Sequence, residues 1–146
     1  MPIASYSYNS ATAALTRVLD GLPPVVVAID GRPGSGKTTL GRYLAWYFNI
    51  SLVETGLFLE PGQGFEYRLA ELGHVVSTRL ARKRPVILDG VAVGWLLRDL
   101  GQPAAFTVYV SNNGPSRGDS LHDHVESYEA AIHPLEVANL VVEVCH

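Results

Sequence analysis

Eight consecutive residues, Gly31-Arg32-Pro33-Gly34-Ser35-Gly36-Lys37-Thr38, satisfy the spacing G-x-x-x-x-G-K-[ST] in full. Glycines at these positions let the backbone curl so that successive N–H groups point inward, which makes a cradle for phosphate oxygens. Lys37 is spaced to bridge the β- and γ-phosphates of a nucleoside triphosphate, and the Thr38 hydroxyl to ligate Mg²⁺, with Thr39 starting the helix beside it. The competing reading is a glycine-rich turn that merely reverses the chain. A predicted strand before the loop and a predicted helix after it favour triphosphate binding by residues Gly31, Arg32, Pro33, Gly34, Ser35, Gly36, Lys37, Thr38 and Thr39.

Binding alone names no reaction, because one such loop serves kinases, ATPases and GTPases. The acids are therefore informative. Asp30, Glu54 and Asp89 each end a short apolar run, and ligands of open α/β sheets bind at the carboxyl ends of the strands. The three read as a convergent cluster. Asp89, after Pro85-Val86-Ile87-Leu88, is suited to hold a Mg²⁺-bound water; alternatively it is a turn-forming Asp before Gly90. Glu54 is a candidate general base for an acceptor hydroxyl, or a group that orients it, or an ordinary solvated strand-end acid. Asp30, directly before the loop, is suited to fixing it by hydrogen bonds rather than to chemistry.

The elements that position these groups follow from periodicity. Apolar runs of about five residues alternate with helical patterns, the mark of βαβ units around a mostly parallel sheet, so the fold class is α/β. A short helix over Thr12 to Leu19 ends before Pro23-Pro24, and Val25 to Ile29 is a strand buried on both faces. Leu40, Tyr43, Leu44, Tyr47 and Phe48 give a helix from about Lys37 to Phe48 whose apolar face packs on the sheet; core packing also accounts for Trp46. Ser51 to Glu54 is a second strand. Phe65, Leu69, Leu72, Val76 and Leu80 mark a long helix stopped by Pro85, and Val86 to Asp89 a third strand. Val93, Leu96, Leu97 and Leu100 mark a helix closed by Gly101, and Phe106 to Val110 a fourth strand. After a polar loop, Ser111 to Asp119, comes a helix carrying Leu121, Val125, Tyr128 and Ile132, with Asp119 or Ser120 as N-cap. Asn139 to Val144 is the fifth strand.

The 146 residues, 47% hydrophobic and 17% charged, can fill one compact core, and a single domain over 1–146 is expected. A net charge of −3 with only two lysines, Lys37 and Lys83, argues against a general nucleic-acid binder. The single cysteine, Cys145, excludes an intrachain disulfide. Met1 to Ala14 lacks a basic and then apolar leader pattern, Asp20 and the single Arg17 argue against a mitochondrial presequence, and no apolar run is long enough to span a membrane. A soluble, cytoplasmic protein with neither nucleic-acid nor membrane partners is expected.

Ile29-Asp30-Gly31-Arg32-Pro33-Gly34-Ser35-Gly36-Lys37-Thr38-Thr39-Leu40, followed by Glu54-Thr55-Gly56-Leu57-Phe58, resembles the opening of cytidylate-kinase-type P-loop kinases. Tyr128 to Val142, with His133-Pro134 and Ala138-Asn139-Leu140-Val141-Val142, is more similar to uridine-kinase-type proteins. The resemblance covers most of the sheet. It implies a three-layer αβα fold with a five-stranded parallel sheet of order 2-3-1-4-5, and transfer of the ATP γ-phosphoryl group to a small acceptor. It further implies Lys37 and Thr38 on ATP and Mg²⁺, Glu54 at the acceptor and Asp89 near the metal. Leu59 stands where cytidylate-type kinases carry an Arg for the acceptor phosphate, and Val91-Ala92 where Arg-Asp would follow Asp89-Gly90. Both departures point away from an acceptor that is already phosphorylated.

Residues 1–98 carry 10 basic and 7 acidic groups, and residues 99–146 carry 1 and 7. Kinases of this kind close an Arg-bearing lid over the phosphates, since guanidinium groups stabilise the transferring phosphoryl group. The lid here, about 111–119, is short and offers Arg117 alone. Either Arg117 suffices, a second subunit in a homodimer supplies an arginine, or Arg32 substitutes; otherwise the chain is a nucleotide-binding regulator or weak ATPase. A nucleic-acid-dependent ATPase finds no support in the charge pattern.

Arg79, Arg82, Lys83 and Arg84 could hold an anion or simply be the solvated end of a helix. His122 and His124, at i and i+2, do not share a helix face, which argues against a joint metal site. Phe58 and Tyr67 could stack on a substrate, and Gly62-Gln63-Gly64 reads as a loop on the acceptor side.

Overall fold

The computed structural model describes residues 6–60, 66–112 and 122–144. Five parallel strands, β1 (Val26–Gly31), β2 (Ser51–Glu54), β3 (Val86–Gly90), β4 (Ala104–Asn112) and β5 (Leu140–Val144), form one sheet in the order β2-β3-β1-β4-β5. The helices are α1 (Tyr6–Val18), α2 (Lys37–Phe48), α3 (Leu69–Ala81), α4 (Val93–Leu100), α5 (His122–Ile132) and a single turn, α6 (Pro134–Val137). This is the predicted αβα arrangement with the predicted strand order. The elements differ from their expected bounds mainly at the ends. α1 starts at Tyr6 rather than Thr12, and β4 runs on to Asn112, so Ser111 and Asn112 belong to a strand and not to a loop. The rest of that loop, with Arg117 and the expected caps Asp119 and Ser120, lies outside the described residues, as do Gly62-Gln63-Gly64, Phe65 and Cys145.

Alternation along the strands builds two cores. Val27, Ile29 and Ile87 point to one face and meet Leu15 of α1 with Leu40 and Leu44 of α2. Val26, Ala28 and Leu88 point to the other and meet Leu72 and Val76 of α3 with Val93 and Leu96 of α4. All six residues of β1 are buried, as its continuous apolar run requires for a central strand. Each such Ile or Leu contributes about 1.5–3 kcal/mol by leaving water.

The expectation for α2 needs correction. Leu40 and Leu44 are fully buried, but Trp46 is 75% exposed and Tyr47 51% exposed. The five-residue stripe is wider than the strip of helix that the sheet can cover. At its rim, and at Trp46 outside it, the aromatics meet one another with tilted rings: Tyr43 lies 6.0 Å from Trp46 and 6.2 Å from Tyr47, ring centre to ring centre. Between β2 and α3 the chain makes a 3-10 turn, Thr55–Phe58, that periodicity did not indicate. An antiparallel bridge, Leu59 to Tyr67, follows it.

Candidate active site

The loop from Gly31 to Gly36 joins β1 to α2 at the carboxyl edge of the sheet. Its tightness depends on glycine: a Cβ at Gly31 would lie 2.7 Å from Ser35 Oγ and 2.8 Å from the Val110 carbonyl oxygen. Lys37, the first residue of α2, is buried, and its Nζ donates to the Arg32 carbonyl oxygen at 2.8 Å. The ammonium is thus folded back across the loop that it would serve. Ser35 Oγ is buried with no hydrogen-bond partner among the described residues, an arrangement that disfavours the apo state unless a ligand fills it.

Pleat and register sort the three strand-end acids. Glu54 and Asp89 are cross-strand neighbours in the β2–β3 register, whereas Asp30 pairs with Gly90. Neighbours in register project to the same side, so Glu54 and Asp89 face α2 while Asp30 faces α4 and α5. The expected three-acid cluster is therefore a pair plus one. The Thr38 hydroxyl stands beside the Asp89 carboxylate and favours its charged form. Asp89 Oδ2 is buried and has no partner among the described residues. Burial raises the Asp89 pKa, and the charge of Glu54 adds to that, against Thr38 and Lys37, which lower it. A buried carboxylate oxygen left open beside a threonine hydroxyl is an all-oxygen donor set, which suits a hard divalent cation such as Mg²⁺.

Glu54 itself is partly exposed and forms an ion pair with Arg42 on α2 at 3.1 Å. Thr55, which is buried, donates from Oγ1 to the Asp89 carbonyl oxygen at 2.7 Å and ties the ends of β2 and β3 together. Asp30 behaves as a fixing group. Its Oδ1 accepts the Gly31 N–H at 2.9 Å and its Oδ2 accepts the Tyr128 hydroxyl at 2.6 Å. Burial raises its pKa, opposed by those two donors, the Val93 N–H and Lys37. Arg32 turns outward to Glu129 on α5, with Nε on Oε1 at 2.9 Å and Nη2 on Oε2 at 3.2 Å.

Other candidates fall elsewhere. Arg79, Arg82, Lys83 and Arg84 are at or beyond the end of α3, before β3 begins, and so lie at the opposite edge of the sheet; Arg84 donates to the Asn49 carbonyl at 3.1 Å. Tyr67 packs into the α3–α4 core and its hydroxyl donates to the Val91 carbonyl at 3.0 Å, with burial raising its pKa to about 12. Phe58 packs against the same core. Among the described residues no group of three His, Cys, Asp or Glu gathers to hold a metal. Arg42, Thr55, Tyr128 and Glu129 were not singled out from the sequence. Thr55 and Tyr128 appeared only as members of the stretches that carry the resemblance, Tyr128 also as one position of an apolar stripe, and Arg42 and Glu129 carried no local signal.

No protein-family model matches the chain. A cytidylate kinase of Pyrobaculum calidifontis is 28% identical over 126 residues, covering 77% of this chain and 67% of that protein. One of Pyrobaculum islandicum is 34% identical over 122 residues, covering 74% and 65%. The structure of a possible uridine kinase from Bacillus stearothermophilus superposes with a TM-score of 0.66, at 14% identity, over 92% of this chain and 96% of that one. The chain is similar in sequence to cytidylate kinases and shares the fold of the small P-loop kinases. It spans about two thirds of the length of the two cytidylate kinases. As a P-loop kinase fold it carries its glycine-rich loop and its strand-end acids at the edge of the sheet where the motif and topology require them. No helix among the described residues is long and apolar enough to cross a membrane.

Proposed function

We propose that the chain transfers the γ-phosphoryl group of ATP to a hydroxyl of a small, unphosphorylated molecule. The observation that carries this reading is the Glu54–Asp89 pair on the α2 side of the sheet edge, with Asp89 Oδ2 buried and open beside Thr38. A nucleotide binder without a reaction needs only the loop; a second carboxylate, partly exposed and one strand from the first, supplies the position of a base.

In this reading the N–H groups of residues 31–36 and the Lys37 ammonium take the β- and γ-phosphates, with Lys37 exchanging the Arg32 carbonyl for a phosphate oxygen. Thr38 and Asp89 would hold Mg²⁺, which when bound would neutralise charge on the phosphate oxygens. The acceptor oxygen attacks the γ-phosphorus in line, the bond from that phosphorus to the β–γ bridging oxygen breaks, and Glu54 takes the acceptor proton. Charge on the moving phosphoryl group is met by Arg117, by an arginine from a second copy of the chain, or by Arg32. Arg32 would first have to leave Glu129. A cytoplasmic location goes with this use of ATP. Relatives named for cytidylate and uridine make pyrimidine compounds the first acceptors to try, and Leu59, where an acceptor-phosphate arginine is expected, favours nucleosides over nucleotides.

The test is ADP release from Mg²⁺-ATP with and without a pooled set of nucleosides, sugars and other small hydroxyl compounds, using Lys37→Ala as the blank. Acceptor-stimulated release that is missing from the blank is expected. Tight ATP binding with no stimulation would overturn the transfer reading in favour of a nucleotide-binding regulator or weak ATPase.

A further inference from the structure

Two consecutive residues of α5 grip the two residues that flank Gly31. Tyr128 is buried and packs edge-on against Trp95 at 5.1 Å. Its hydroxyl donates to Asp30 at 2.6 Å and accepts the Gly94 N–H, in the first turn of α4, at 3.1 Å. The approach to α4 requires glycine, because a Cβ at position 94 would lie 2.7 Å from the Tyr128 oxygen. Glu129 holds the Arg32 guanidinium through both carboxylate oxygens. The Arg32 carbonyl in turn receives Lys37 Nζ. Two chains of contact therefore run from one turn of α5 into the phosphate loop: Tyr128 to Asp30 to the Gly31 N–H, and Glu129 to Arg32 to Lys37.

We infer that Tyr128 and Glu129 are positioning residues for the phosphate loop, setting where the Gly31 N–H and the Lys37 ammonium stand before nucleotide arrives. The inference rests on the reading of the loop as an ATP site. Neither side chain need touch ATP. Tyr128 acts on β1 just before the loop, at a buried carboxylate, and Glu129 acts on the loop itself through a two-point contact that fixes the plane of the guanidinium. A loop held at both of its early residues loses less freedom on binding, and preorganisation of this kind appears as affinity for nucleotide.

The experiment is calorimetric binding of Mg²⁺-ATP, without acceptor, to the full chain and to Glu129→Gln, Arg32→Gln, the Glu129→Gln/Arg32→Gln double variant and Tyr128→Phe, with melting temperatures measured alongside. Glu129→Gln is partly exposed and conserves shape, so it keeps the test open if Tyr128→Phe does not fold. The expected result is weakening of ATP by about threefold to fivefold in Glu129→Gln and by about tenfold in Tyr128→Phe. Glu129→Gln should add nothing further on the Arg32→Gln background, since it acts through Arg32. In turnover the KM for ATP should rise while that for acceptor stays unchanged, a split that loss of stability alone does not produce. Unchanged ATP affinity in Glu129→Gln, or an equal loss on both Arg32 backgrounds, would overturn the clamp while leaving the ATP site standing. Failure of the unmodified chain to bind ATP would overturn both.

Discussion

The Arg42 guanidinium lies 3.1 Å from the Glu54 carboxylate and joins the helix after the phosphate loop to the end of β2. The pair orients the acid proposed to receive the acceptor proton, and both partners are partly exposed, so its worth to folding is small, about 0–1 kcal/mol. Arg42→Ala should leave the melting temperature almost unmoved while lowering kcat several-fold, which steady-state kinetics with the identified acceptor will read. Glu54→Gln should abolish transfer and leave ATP binding intact by calorimetry.

Lys37→Ala should fold normally and lose ATP affinity by about tenfold or more, because among the described residues the ammonium is the one side-chain cation directed along the loop. Thr38→Ala should retain ATP binding in the absence of Mg²⁺ and lose the gain that Mg²⁺ provides. Titrating Mg²⁺ at fixed ATP separates the two variants.

Asp89 carries a pH signature. Burial lifts its pKa above the ordinary carboxylate value of 3.8, so the folded chain holds this proton more tightly than the unfolded chain does. The favourable contribution is fully present below that value and is lost as pH rises through the folded pKa. Urea unfolding of the metal-free chain from pH 4 to 7 should therefore show Asp89→Asn gaining on the unmodified protein as pH climbs. With Mg²⁺-ATP present the order should reverse, since the variant has lost a ligand.

Burial separates two apolar residues of α2, Leu44 and Trp46, that stand two positions apart and so on opposite sides of the helix. Leu44, fully buried, should cost about 2–5 kcal/mol on change to alanine. Trp46, 75% exposed, should cost within about 0.5 kcal/mol. Chemical denaturation of the two variants checks the contrast, and a large loss at Trp46 would contradict its exposed placement.

Much of this fold was legible because its signals are local. Strands β2 and β3 begin where apolar runs begin after turn residues, α4 ends at Gly101 in the left-handed conformation, and the loop at 31–38 is a contiguous spacing. The failures are equally specific. Hydrophobicity alone gave Trp46 and Tyr47 the same weight as Leu44, but a sheet covers only part of a helix circumference; Trp46, two positions from Leu44, is turned away from it, and Tyr47 sits at the rim of the stripe, where the sheet no longer reaches.

By itself the sequence determined the alternation of strands and helices, the phosphate loop and the presence of acids at the ends of β1, β2 and β3, since each depends on residues a few positions apart. Only the tertiary structure decided that Glu54 and Asp89 stand together while Asp30 faces away, because pleat and inter-strand register set that sorting. It alone decided, too, that Tyr128 and Glu129 reach across about a hundred residues to Asp30 and Arg32. Such contacts are chosen by how α5 packs against α4 and the sheet, a property of the assembled layers that no single segment encodes.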